Sequence, residues 1–94
     1  MQSQYQGVML RIRGRVQGVG MRYYLVGNAR GLGLTGWVRN RSDGSVECLV
    51  QGDRASIRQF LQAARTGPPL AQVDQVKTAD AGHQPQLNGF EVRY

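Results

Sequence analysis

Val8-Met9-Leu10-Arg11-Ile12-Arg13-Gly14-Arg15-Val16-Gln17-Gly18-Val19-Gly20-Met21-Arg22 is the stretch from which the architecture is read. Val8, Leu10, Ile12 and Val16 alternate with Met9, Arg11, Arg13 and Arg15, the period-two pattern of a strand with one buried face. Gly14, Gly18 and Gly20 then loosen the backbone. From Arg22 onward the spacing of Leu25, Val26, Ala29 and Leu32 predicts a helix stripe, which Gly31 and Gly33 stop. Gly27 lies inside that helix, where it costs about 1 kcal/mol relative to alanine. A half-buried strand therefore feeds a helix through a glycine-rich loop.

Working outward, Thr35 to Arg41 and Ser45 to Gln51 read as two antiparallel strands joined by the turn Ser42-Asp43-Gly44, an Asp-Gly hairpin signal. Asp53 is placed to cap a second helix whose apolar residues Ile57, Phe60, Leu61 and Ala64 follow helical spacing. Gly67-Pro68-Pro69 ends it. Val73 to Thr78 and Phe90 to Tyr94 supply the last strands, and the polar stretch from Ala79 to Gly89 separates them. The order is strand, helix, strand, strand, helix, strand, with a terminal strand added. This predicts a ferredoxin-like α+β sandwich of βαββαβ order, its mostly antiparallel sheet carrying both helices on one face.

Ninety-four residues, 40% of them hydrophobic, suffice for a single domain over residues 1–94 with one core. Residues 1–7 are expected to form a flexible extension. No apolar run approaches the roughly 20 residues a membrane span needs, and the polar start lacks a signal-peptide core. A soluble, cytoplasmic, monomeric protein is expected. Cys48 has no second cysteine to pair with, and its alternation with Val46 and Val50 points to core packing. His83 stands alone in a polar loop, and the six carboxylates show no helical pairing, so no metal site and no cofactor are expected. Asn40-Arg41-Ser42 fits a glycosylation sequon, which without a secretion signal reads as accidental.

The net charge is +6, with eleven of the twelve basic residues arginine, and the partners it favours are anions. The glycine loop offers a place for one. Its glycines permit the left-handed angles that turn several N–H groups toward one point, and the helix N-terminus adds about half a positive charge. Arg22 falls in the first helical turn, where a cation opposes the macrodipole by roughly 0.3 to 1 kcal/mol. On local physics alone it is either an anion ligand or an exposed arginine beside a tight turn. A Walker loop is excluded, because Val19 occupies the position five after Gly14 where a glycine is required. Gly31-Leu32-Gly33-Leu34-Thr35-Gly36 matches G-x-G-x-x-G but follows a helix and opens a strand, the reverse of a dinucleotide site.

These motifs, taken together, resemble the acylphosphatase family. The resemblance rests on the loop from Gly14 to Arg22, on Gly33-Leu34-Thr35-Gly36-Trp37-Val38-Arg39-Asn40, on Gly44 to Gly52, and on Gly89-Phe90-Glu91-Val92-Arg93-Tyr94. It implies metal-independent hydrolysis of the carboxyl-phosphate anhydride of small acyl phosphates, with inorganic phosphate as product and inhibitor. It also implies that Arg22 binds the phosphate together with the backbone of Arg15, Val16, Gln17, Gly18, Val19, Gly20 and Met21, and that Asn40 orients the attacking water. Met21 stands where the family often has an aromatic, and Arg41 where it often has a threonine.

Alternation along the second strand places Asn40 on the same face as Gly36 and Val38. An amide on an apolar face is costly unless bonded, so Asn40 either caps the following turn or faces a site. Two rival readings remain. A nucleic-acid-binding module would use Arg11, Arg13 and Arg15 on one strand face, but strands one and three lack interleaved stacking aromatics, and Glu47 can offset an arginine across the ladder. A non-catalytic acylphosphatase-like domain of a larger maturation enzyme is the other, against which stand Arg22 and Asn40 in a chain ending at Tyr94.

Overall fold

The computed structural model describes residues 5–94. Seven elements follow in order: β1 (Tyr5–Arg15), α1 (Met21–Gly31), β2 (Thr35–Asn40), β3 (Val46–Asp53), α2 (Arg54–Thr66), β4 (Gln72–Asp80) and β5 (Phe90–Val92). The sheet order is β4-β1-β3-β2-β5. All neighbours are antiparallel except β2 and β5, which run parallel. This is the expected ferredoxin-like sandwich with its added C-terminal strand.

The alternation in β1 does what the sequence dictates. Val8, Leu10 and Ile12 are buried, as are Val38 of β2 and Val46, Cys48 and Val50 of β3. They form one core with Leu25, Val26 and Ala29 of α1 and with Ile57, Phe60 and Ala64 of α2. Asp53 caps α2, its carboxylate accepting from the N–H groups of Ala55 at 3.1 Å and Ser56 at 3.2 Å, an arrangement worth about 1 kcal/mol.

Three boundaries differ from the sequence reading. β1 begins at Tyr5, so residues 5–7 of the expected flexible extension are strand instead, paired with Asp53, Gly52 and Gln51, while residues 1–4 lie outside the described residues. The added strand ends at Val92. β4 runs on to Asp80, into the stretch expected to be turn, because Thr78, Ala79 and Asp80 find partners in Leu10, Met9 and Val8.

The face away from the helices is drier at its centre than a solvated sheet face should be. Glu47, Leu49 and Gln51 of β3 are all buried. Gln51 exchanges two hydrogen bonds with the backbone of Gln84, which pins the loop before β5 across this face. Glu47 sits in register between Arg11 and Arg39 and accepts from Arg39 at 2.8 Å, Arg41 at 3.0 Å and Arg11 at 3.4 Å. The arginines of this face are thus partly spent on an internal carboxylate.

Candidate active site

Leaving β1, the chain makes the loop of residues 16–20 before α1 begins at Met21. Val16 is buried and anchors the loop in the core, while Gly18 and Gly20 take left-handed angles, φ 73° and 83°. Gly20 is also the N-cap of α1, and with no side chain it offers the helix no cap. No hydrogen bond within the described residues uses the N–H groups of residues 17–20, and the first turn of α1 contains no acidic side chain. The loop therefore presents free donors at the positive end of a helix, the arrangement that attracts an anion.

Arg22, half-buried, occupies the first turn of α1. Its guanidinium lies over the Tyr94 ring and enters no ion pair among the described residues. Arg15, at the end of β1, is exposed and likewise unpaired. Met21 is buried at the base of the helix, so a hydrophobic side chain serves where it packs into the core.

Asn40 closes β2. Its Oδ1 atom is buried, yet no donor of the described residues reaches it. Leaving a buried acceptor unpaired costs about 1 to 3 kcal/mol, and such orphans mark functional positions when they lie beside a groove. A polar groove of about 280 Å³ lies there, lined by Arg39, Asn40, Arg41 and Ser42. Larger hollows of about 380 and 390 Å³ are elsewhere, one around Tyr5, Arg54 and His83, the other around Arg30, Thr35 and Phe90, and neither reaches Arg22 or Asn40.

The loop and the Asn40 end of β2 meet through Gln17. Its side-chain Nε2 donates to Arg41 O at 2.7 Å and to Ser45 O at 2.9 Å, across 24 and 28 residues of sequence. The turn it grips is itself closed by Arg41 N–H to Ser45 O at 2.9 Å and Gly44 N–H to Arg41 O at 3.1 Å. Asp43 accepts from Ser45 through both its N–H, 3.0 Å, and its hydroxyl, 2.6 Å. Those bonds, aided by Arg13 and Arg11, hold the Asp43 carboxyl at about 2. Gln17 was legible in the sequence only as a member of the loop. Nothing in its spacing announces where an amide side chain of that reach will bond.

The profile of the Acylphosphatase family matches residues 8–92. The chain belongs to the acylphosphatase family. Among relatives, the acylphosphatase of Acidiphilium cryptum is 54% identical over 84 residues, 89% of this chain and 91% of that one. The acylphosphatase of Rhodospirillum rubrum is 47% identical over 86 residues, covering 92% and 93%. In three dimensions the chain is similar to the crystal structure of acylphosphatase from Bacillus subtilis, with a TM-score of 0.90 and 33% identity over 94% of this chain and 98% of that one. The agreement runs the length of the acylphosphatase fold, from β1 to β5.

Other candidates fall outside this site. Cys48 is buried in the core, and burial pushes its thiol up, so it carries no thiolate at neutral pH. His83 is exposed and meets the Tyr5 ring edge-on at 5.4 Å. No group of three or more His, Cys, Asp or Glu residues gathers among the described residues, and no helix there is long and apolar enough to cross a membrane.

Proposed function

We propose that this acylphosphatase-family chain hydrolyses acyl phosphates to a carboxylate and inorganic phosphate without a metal, Arg22 and the backbone of residues 15–21 holding the phosphate and Asn40 the attacking water. The observation that supports this reading is the bridge from the glycine loop to the turn after Asn40, whose buried side-chain oxygen has no partner among the described residues.

The chemistry asks little of acid-base groups. Water attacks phosphorus in line, the bond from phosphorus to the carboxylate oxygen breaks, and the carboxylate leaves without needing a proton. The water's proton passes to a phosphate oxygen of the substrate. Positioning and stabilisation of charge on the equatorial oxygens are then the main demands, and N–H donors with a bidentate guanidinium meet them. Asn40 Oδ1, as an acceptor, takes one hydrogen of the water and turns its lone pair toward phosphorus. Inorganic phosphate fits the same cradle and inhibits as product. A monomer of the cytoplasm is the accompanying reading, and the lone free cysteine suits that compartment.

Benzoyl phosphate hydrolysis in excess EDTA, wild type beside Arg22→Ala with matched circular dichroism, tests the reading. Expected is metal-free turnover that falls by roughly two to four orders of magnitude in the variant. Unchanged turnover in a folded Arg22→Ala protein sinks the assignment of Arg22. A wild type without turnover makes this a phosphate-binding relative.

A further inference from the structure

Phosphate binding by the loop engages the backbone of Gln17 and leaves its side chain without a task. That side chain spends both amide hydrogens on one object, the turn from Arg41 to Ser45. The two carbonyls it bonds are the two ends of that turn; Ser45 is 1% exposed, so that end of the grip is shielded from water, while Gln17 and Arg41 are half-buried. The residue preceding the first of these carbonyls is Asn40.

We infer that Gln17 is a positioning residue of the hydrolysis: its side chain sets the distance and orientation between the phosphate loop and the Asn40 amide. This inference rests on the reading of Asn40 as the group that holds water. The cradle and Asn40 belong to different elements, the loop after β1 and the end of β2. In-line attack needs water and phosphorus about 3 to 3.5 Å apart and aligned, and a misplacement of about 1 Å costs on the order of 100-fold. The planar amide of Gln17, with both Nε2 hydrogens donated to the turn, couples the loop that fixes phosphorus to the turn next to the residue that fixes water. The other side-chain ties from outside this turn, Arg13 and Arg11 to Asp43 and Arg41 to Glu47, run to β1 and β3 and do not involve the loop.

The test is a double-mutant cycle. Gln17→Met keeps the length and bulk without the donors, and Gln17→Asn keeps the amide one methylene shorter, so the second variant retains a polar donor at the position. Turnover of benzoyl phosphate, inhibition by inorganic phosphate and the urea midpoint are measured for both, alone and with Asn40→Ala. Gln17→Met is expected to lower kcat about 10- to 100-fold, Gln17→Asn less, with the inhibition constant for phosphate within about 2-fold of wild type. In the Asn40→Ala background the same changes should cost under about 3-fold more, because the group they misplace is gone. Wild-type kcat in either folded Gln17 variant overturns the inference, as does a kcat loss undiminished in the Asn40→Ala background. A phosphate inhibition constant that weakens in step with kcat assigns the side chain to the cradle instead. Failure of the underlying reading shows separately, as wild-type turnover in Asn40→Ala alone.

Discussion

The guanidinium carbon of Arg22 lies 5.4 Å from the centroid of the Tyr94 ring. A ring face restrains the side chain by about 0.5 to 1 kcal/mol at an exposed site while leaving its N–H groups unspent, which a carboxylate partner would not do. Arg22→Lys tests whether the fork matters beyond its charge. A lysine in the same place supplies a point charge and cannot bond two phosphate oxygens in parallel. Expected is a loss of about 100-fold in kcat/KM for benzoyl phosphate, with the urea midpoint unmoved. Retention of wild-type kcat/KM shows that charge alone suffices.

Asn40→Ala separates water placement from phosphate binding. Since the proposed cradle uses the loop and Arg22 and not Asn40, removing the amide should lower kcat by about 10- to 100-fold and leave inhibition by inorganic phosphate nearly intact. Steady-state kinetics with phosphate as competitor reads both quantities. Collapse of phosphate affinity would make Asn40 a direct ligand.

Much of this architecture is legible because its causes are local. Alternation in β1, the Asp-Gly turn after β2 and the carboxylate cap of α2 each depend on a few neighbouring residues, and each appears where its residues place it. What stays hidden depends on partners distant in sequence. Tyr5, Gln6 and Gly7 form strand because β3 reaches Asp53 opposite them, and nothing in the polar N-terminus signals that. The arginine-rich face reads as solvated, yet Glu47 is buried there because Arg11, Arg39 and Arg41 converge on it from three places in the chain. Gln17 was visible as a loop residue, but its hold on Arg41 and Ser45 spans 24 and 28 positions. Side-chain reach across a sheet end has no period to detect.

Gly20 gives a test of the loop itself. It holds φ 83°, and a Cβ added there would meet nothing within 4 Å, so alanine is opposed by backbone conformation and not by crowding. Gly20→Ala should cost about 1 to 2 kcal/mol, and Gly20→Asn less, since asparagine tolerates the left-handed region better. Urea unfolding measures the difference. If alanine costs nothing, the loop relaxes to another conformation, and weakened phosphate inhibition should then accompany it.

The turn that Gln17 grips should make the protein acid-sensitive in a defined window. Asp43, ordinarily near 3.8, is held at about 2 by hydrogen bonds from the Ser45 hydroxyl and N–H, which with Arg13 and Arg11 outweigh the opposing desolvation. Burial pushes the Glu47 carboxyl up, but hydrogen bonds and charge from Arg39 and Arg41 prevail and leave it below its ordinary 4.5. Both folded-state values are depressed, so each group contributes stability that is fully present above its unfolded value and is lost as pH falls through its folded one. Urea midpoints should hold steady down to about pH 5 and decline from there toward about pH 2. Asp43→Asn removes one of the two titrations: its deficit against wild type should be largest at neutral pH and shrink as the wild-type carboxylate is protonated. A deficit that stays constant from neutral pH to about pH 2 would show that Asp43 has the same pKa in the folded and unfolded chain, and that the loss does not come from its charge. If the deficit shrinks as expected, turnover should fall with it near the acid end, because the same Ser45 whose hydroxyl Asp43 holds presents its carbonyl to Gln17.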